Sequence, residues 1–165
     1  MDLLIIRHAI AAARNRRRWR DDSERPLTQA GARRARRAAA GLKRIVERPD
    51  RVFTSPLRRA AQTAAILTEI ADWPKAIDCP ELTPGESPQA ILGVIRGCRG
   101  KLIAIVGHQP ELGRFIAACL GGAMDARAFE LKKNAVACLS FPGTPGPGQA
   151  SLKWLAAPSL LRAMR

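Results

Sequence analysis

The segment from Leu102 to Val106 constrains the fold more than any other part of this 165-residue chain. Every residue in it is apolar, and no polar residue alternates with them. Such a run is typical of a parallel strand that is buried on both faces. A strand of that kind needs helices on both sides of its sheet, so the segment predicts an α/β fold.

The rest of the chain alternates short apolar runs with amphipathic stretches, as a sheet covered by helices does. Further strands are predicted at Leu3–Arg7, Arg51–Thr54 and Ile77–Cys79, with a final hairpin of Ala135–Phe141 and Ser151–Leu155. Helices are predicted after the N-cap Thr28, with Ala35, Ala38, Ala39, Leu42, Ile45 and Val46 on the apolar face, at Leu57–Ala71, around Ala90–Cys98 and after Pro110. We therefore expect a single domain over residues 1–165, built as a three-layer α/β/α sandwich with a mostly parallel central sheet.

The composition is strongly basic. The net charge is +14, and most of the positive charge is arginine. Such a charge suits nucleic acid, membrane phosphates or an acidic protein partner, and by itself does not choose among them.

Targeting signals and cysteines point to an ordinary cytoplasmic protein. The amino terminus lacks the pattern of a secretory signal, and no apolar stretch approaches the roughly 20 residues that span a bilayer. The cysteines are widely scattered and are expected to be reduced core residues rather than metal ligands: Cys79, Cys98, Cys119 and Cys138.

Polar residues follow three of the predicted strands. Arg7 and His8 end the first strand, Ser55 and Arg59 follow the second, and His108 follows the strand at Leu102–Val106. In open α/β sheets ligands bind beyond the carboxyl ends of the strands, so these side chains are expected to converge. Arginine forks match phosphate oxygens, and imidazoles can donate to oxygen or attack phosphorus. The pattern predicts a phosphate site.

Three blocks of sequence carry a family resemblance. Arg7-His8, the segment Ser55–Thr63 and Val106-Gly107-His108 resemble, in order and spacing, the signature blocks of the histidine phosphatase superfamily, which has the phosphoglycerate mutase-like fold. Within it, Arg25–Thr28 and Pro80–Pro84 are similar to segments of the short SixA-type phosphohistidine phosphatases.

The resemblance implies roles for individual residues. His8 is the implied nucleophile, which accepts the phosphoryl group, while Arg7, Arg59 and His108 hold its oxygens. No metal or other cofactor is implied. Larger members of the superfamily use a carboxylate after the second block as the proton donor, and Glu81 is the nearest candidate for that role here. An equal alternative is that Glu81 is a loop carboxylate paired with an arginine. Ser55 either contacts the substrate or caps its helix.

Three functions are compatible with these residues. A short chain without large insertions favours a shallow pocket open to a phosphohistidine-bearing protein. A hydrolase of small phosphate monoesters would need a specificity wall from Arg14–Arg25 or Trp73–Ser87. A basic protein that binds nucleic acid or acidic partners without turnover would leave the three ordered blocks unexplained.

The segment Arg14–Arg25 is expected to be a mobile loop, because it has too few apolar residues to pack. Its arginines, with Trp19, could steer an acidic phosphoprotein, or the loop could be solvated without a specific partner. Lys132 and Lys133 could border the pocket or be an ordinary solvated pair.

Overall fold

A single six-stranded sheet forms the centre of the molecule, for which the computed structural model describes residues 1–121 and 125–164. The strands are β1 (Asp2–Arg7), β2 (Arg51–Thr54), β3 (Ile77–Asp78), β4 (Leu102–Gly107), β5 (Val136–Ser140) and β6 (Ser151–Ala156). Their order across the sheet is β3-β2-β4-β1-β5-β6. Neighbouring strands pair in parallel from β3 to β1, whereas β5 is antiparallel to both β1 and β6.

Helices cover both faces of this sheet. They are α1 (Gln29–Ile45), α2 (Arg58–Ala71), α3 (Pro88–Arg96), α4 (Glu111–Leu120) and α5 (Pro158–Ala163). Successive side chains of a strand point to opposite faces. Leu4 and Ile6 of β1 accordingly pack with α1, α2 and α5, whereas Leu3 and Ile5 pack with α3 and α4. The three-layer α/β/α sandwich with a mostly parallel sheet is therefore confirmed.

The predicted elements lie where the sequence places them, with small changes at their ends. Thr28 caps α1, because its hydroxyl oxygen accepts the N–H of Gly31 at 2.9 Å. Ile45 was expected on the apolar face, but it is 44% exposed at the last residue of α1. The short helix α5 was not predicted, although its Leu161 is buried against the sheet.

The segment Arg14–Arg25 was expected not to pack, but it forms a hydrogen-bonded turn in its first half and makes further contacts in its second. Asp22–Glu24 form a short 3-10 helix, and a β-bridge joins Ala11 to Leu27 on either side of the segment. Arg25 donates to the carboxylate of Asp22 at 3.0 Å and to the carbonyl of Ala12 at 2.8 Å. Polar contacts thus hold this part of the chain, where the sequence offers few apolar ones.

Two further expectations concern membranes and cysteines. No helix among the described residues combines the length and apolar character needed to cross a bilayer. All four cysteines are free thiols, and three of them are buried, as expected for core residues.

Candidate active site

The carboxyl ends of β1, β2 and β4 meet at one edge of the sheet. Arg7 lies beside Gly107, and Thr54 lies beside Val106. The next residue of each strand continues this arrangement, because the N–H of His8 donates to the carbonyl of Gly107 at 3.0 Å. The parallel register therefore brings His8 and His108 together, and their ring centroids are 5.0 Å apart.

His8 is buried at this edge with a defined ring orientation. Its Nδ1 lies 2.7 Å from the carbonyl oxygen of Ala9. A carbonyl oxygen only accepts, so Nδ1 carries the hydrogen and Nε2 keeps a free lone pair. Burial, reinforced by the charges of Arg59 and Arg7, lowers the pKa of His8 to about 4. The imidazole is consequently neutral near pH 7, with Nε2 available as a nucleophile.

His108 is held from behind by Ser55. Its Nε2 lies 2.8 Å from the Ser55 hydroxyl oxygen, which also accepts the N–H of Leu57 at 3.3 Å. That arrangement leaves the Ser55 hydroxyl hydrogen free to donate to Nε2, which places the ring hydrogen on Nδ1. Burial, together with the neighbouring His8, lowers the pKa of His108 to about 3, so this ring is also neutral.

Two arginines complete the group expected from the sequence. Arg7 donates to the carbonyl of Leu131 at 2.6 Å. Arg59, which is 3% exposed, donates to the carbonyl of Asp22 at 2.9 Å and lies 3.1 Å from its carboxylate. Thr63 ties the helix of Arg59 to the first strand, because its hydroxyl donates to the Arg59 carbonyl and accepts the N–H of Ala9.

One cavity of about 440 Å³ is lined by the four side chains expected from the sequence, Arg7, His8, Arg59 and His108. Its charged lining residues are five cations and one carboxylate: Arg7, Arg14, Arg25, Arg59, Lys133 and Glu111. This excess of positive charge suits a multiply charged anion such as a phosphoryl group.

Buried polar atoms without partners are concentrated in this cavity. Among the described residues, the buried side-chain nitrogen and oxygen atoms that lack a hydrogen-bond partner are Arg7 Nε, Arg59 Nε, His108 Nδ1 and Glu111 Oε2. All belong to residues that line the cavity. An unsatisfied buried polar group costs about 1–3 kcal/mol, so these atoms are expected to pair with water or with a ligand in the cavity. The cluster therefore marks this cavity as the candidate binding site.

The carboxylate of the cavity is Glu111, whereas the sequence pointed to Glu81. Glu111 lies in the first turn of α4 and is 6% exposed, and its Oε1 accepts the N–H of Gly85 at 3.0 Å. Glu81 is not among the described residues that line the cavity, and its carboxylate instead accepts from the thiol of Cys79 at 3.2 Å. The chain reaches the cavity wall at Pro84, three residues beyond Glu81.

Ser55 was expected either to contact the substrate or to cap its helix, and its hydroxyl accepts the N–H of Leu57 just before α2. It is fully buried and is not among the described lining residues, so its hydroxyl contacts His108 rather than the cavity. The sequence reasoning further missed Asp22 and Glu111. The position of Glu111, three residues after His108 in the first turn of a helix, was the available signal.

The described part of the chain holds no cluster of three or more histidine, cysteine, aspartate or glutamate side chains placed to bind a metal ion.

Comparison with known proteins agrees with this geometry. Residues 3–83 match the family model of the histidine phosphatase superfamily, branch 1. An uncharacterized protein of Picosynechococcus is 33% identical over 129 residues, which cover 74% of each chain. The chain belongs to the histidine phosphatase superfamily.

Solved structures share the fold over nearly the whole chain. The protein histidine phosphatase SixA, in complex with tungstate, is 27% identical with a TM-score of 0.83, covering 96% of this chain and 98% of the other. The alpha-ribazole phosphatase of Shigella flexneri is 19% identical with a TM-score of 0.72, covering 96% and 97%. The second similarity establishes the phosphoglycerate mutase-like fold alone.

The lowered pKa values of His8 and His108 tie stability to pH. Unfolded, both titrate near 6.5, whereas in the folded protein their pKa values are about 4 and about 3. At pH values between 6.5 and the folded-state pKa values, the unfolded state binds more protons than the folded state. The free energy of unfolding should therefore fall as the pH is lowered from 6.5, by about 1.4 kcal/mol per pH unit for each histidine.

Urea denaturation at a series of pH values between about 7 and 5 measures this slope. His8→Asn and His108→Asn should each make it shallower, because these are the only two histidines in the chain. An unchanged slope in the double variant would contradict the assignment.

Arg59 and its exposed neighbour Arg58 provide a matched test of the oxyanion site. Arg59→Ala should weaken the binding of tungstate by roughly 10- to 100-fold, because charge-assisted hydrogen bonds contribute about 1.5–3 kcal/mol. Arg58→Ala should have little effect, since Arg58 is exposed and, among the described residues, Glu24 alone has a carboxylate within 4.0 Å of its guanidinium. Isothermal titration calorimetry measures both, and a larger loss at Arg58 would show that the site is misplaced.

Proposed function

We propose that this protein is a phosphatase that hydrolyses phosphohistidine on proteins through a covalent phosphohistidine intermediate on His8. One observation carries the proposal: the unpartnered buried donors of Arg7, Arg59 and His108 surround the cavity that holds the neutral, Nε2-free ring of His8. Membership of the histidine phosphatase superfamily and the 27% identity to a SixA that binds tungstate, a tetrahedral oxyanion like phosphate, support it.

In the first step Nε2 of His8 attacks the phosphorus of the substrate. The new bond forms between Nε2 and phosphorus while the bond from phosphorus to the substrate imidazole breaks, and the departing nitrogen takes a proton from solvent at the open rim of the cavity. The unpartnered N–H groups of Arg7, Arg59 and His108 receive the phosphoryl oxygens. Such preorganised donors stabilise the transition state because they need no reorientation when the charge moves.

In the second step water hydrolyses the phosphohistidine, and Glu111 receives the water's proton. Gly85 occupies Oε1 of Glu111, which leaves Oε2 as the oxygen that accepts. Water attacks phosphorus, the bond from phosphorus to His8 Nε2 breaks, and phosphate leaves. General base catalysis of this kind contributes about 10²–10⁴-fold in rate.

The rim of the cavity favours a protein substrate. The lining residues Ala13, Arg14, Pro84, Pro110 and Lys133 are all exposed, so the cavity borders solvent along this side. A histidine on the surface of another protein can approach such a rim, whereas a small ester gains few contacts from it. We therefore infer that a phosphohistidine-bearing protein is the preferred substrate.

The covalent intermediate is the sharpest test of this function. A radiolabelled phosphohistidine protein domain should transfer its label to the wild-type enzyme in an acid-labile form, and His8→Ala should not take up label, because no other group replaces the nucleophile. Circular dichroism confirms that the variant folds. Turnover by His8→Ala would refute the mechanism.

The substrate class is tested in parallel with a small phosphate ester. We expect a higher kcat/KM for the phosphohistidine domain than for the ester. Equal or reversed values would favour the alternative function, a phosphatase of small monoesters on the same fold.

Glu111→Gln should separate the two chemical steps. Loss of the base should slow hydrolysis of the intermediate by about 10²-fold, so labelled enzyme accumulates. Glu81→Gln is the matched control and should leave the rate of hydrolysis nearly unchanged. Rapid-quench measurements of both steps check this. If labelled Glu111→Gln enzyme does not accumulate, Glu111 is not the base of the second step.

A further inference from the structure

A second hollow adjoins the catalytic cavity. It has a volume of about 700 Å³ and is lined by Arg14, Asn15, Arg16, Trp19, Arg20 and Asp22. We call it the arginine groove. Arg14 lines both the arginine groove and the catalytic cavity, so one bound molecule can extend from one into the other.

The arginine groove is built on a folded turn. The side-chain oxygen of Asn15 accepts the N–H groups of Arg17 and Arg18 at 3.0 and 3.1 Å, and its carbonyl accepts the N–H of Trp19 at 2.8 Å. The guanidinium of Arg18 lies 5.2 Å from the centre of a Trp19 ring. These contacts present the arginines in one arrangement rather than along an extended strand.

The positive charge of the turn is not balanced within the described structure. Among the described residues, no carboxylate lies within 4.0 Å of a guanidinium nitrogen of Arg16, Arg17, Arg18 or Arg20. The nearby Asp22 already contacts Arg14, Arg25 and Arg59. Like charges held together repel one another, and an anionic partner relieves that repulsion.

We propose that the arginine groove binds an acidic segment of the substrate protein next to its phosphohistidine. This inference rests on the proposed function and specifies its partner: carboxylate side chains that pair with Arg16 and Arg20. The connection through Arg14 favours a ligand that carries both the phosphoryl group and further negative charge. A nucleic acid fits less well, because Arg18 already covers one face of the Trp19 ring, and bases bind such rings by stacking on a free face.

The test compares two phosphohistidine peptides that differ only in flanking residues, aspartates in one and asparagines in the other. Binding to the His8→Ala protein is measured by fluorescence anisotropy, so the result does not depend on turnover. At low salt the aspartate peptide should bind roughly five- to tenfold more tightly, because two exposed ion pairs form under weak screening.

Adding Arg16→Gln and Arg20→Gln to this protein should remove the preference. Arg33→Gln with Arg37→Gln is the matched control, since these arginines have the same spacing and lie exposed on α1. The control should keep the preference. The same pairs of substitutions are also made in the enzyme that keeps His8. There the ratio of kcat/KM for the aspartate peptide to that for the asparagine peptide should fall toward one in the groove variant and stay unchanged in the control.

Three results would overturn the inference: equal binding of the two peptides, loss of the preference in the control variant, or tighter binding of a DNA oligonucleotide that the groove variant abolishes. Failure of the proposed function looks different. In that case the aspartate peptide still binds the groove more tightly, but the wild-type enzyme turns over neither peptide.

Discussion

Parallel pairing of β1, β4 and β2 is the constraint on which the rest of the structure depends. In parallel strands the carboxyl ends lie at one edge, and the register places Arg7 beside Gly107 and Thr54 beside Val106. One residue further along each strand are His8, Ser55 and His108. Backbone hydrogen bonds therefore position groups that lie up to a hundred residues apart in sequence, and the buried apolar strands keep that edge rigid.

The site concentrates polar groups that the protein itself does not satisfy. A buried polar atom left without a partner costs about 1–3 kcal/mol, and His108 Nδ1 and Glu111 Oε2 have no partner within the described protein. The layers on either side of the sheet offset this cost with apolar burial. Burial also lowers the pKa of His8 to about 4. The same desolvation that destabilises the protein keeps the imidazole of His8 neutral.

Much of the fold and part of the site could be predicted from the sequence. Apolar periodicity located the sheet and four of the helices, and the rule that ligands bind at strand ends brought together Arg7, His8, Arg59 and His108. Glu111 escaped although it lies three residues after His108, because its burial at the cavity wall is set by tertiary packing rather than by the local sequence. Glu81 was preferred because it is the nearest candidate carboxylate after the second block, but in the structure its carboxylate accepts from the thiol of Cys79.

The contact between Asp22 and Arg59 also affects the affinity with which an oxyanion binds to the Arg59 guanidinium. An oxyanion that takes this side of the guanidinium has to replace a carboxylate that is tethered a short distance away and never diffuses off. Binding on that side is then an exchange of one anion for another, whereas an oxyanion at the unpartnered Nε of Arg59 leaves Asp22 in place. The affinity of an oxyanion on the Asp22 side would report the difference between the two anions.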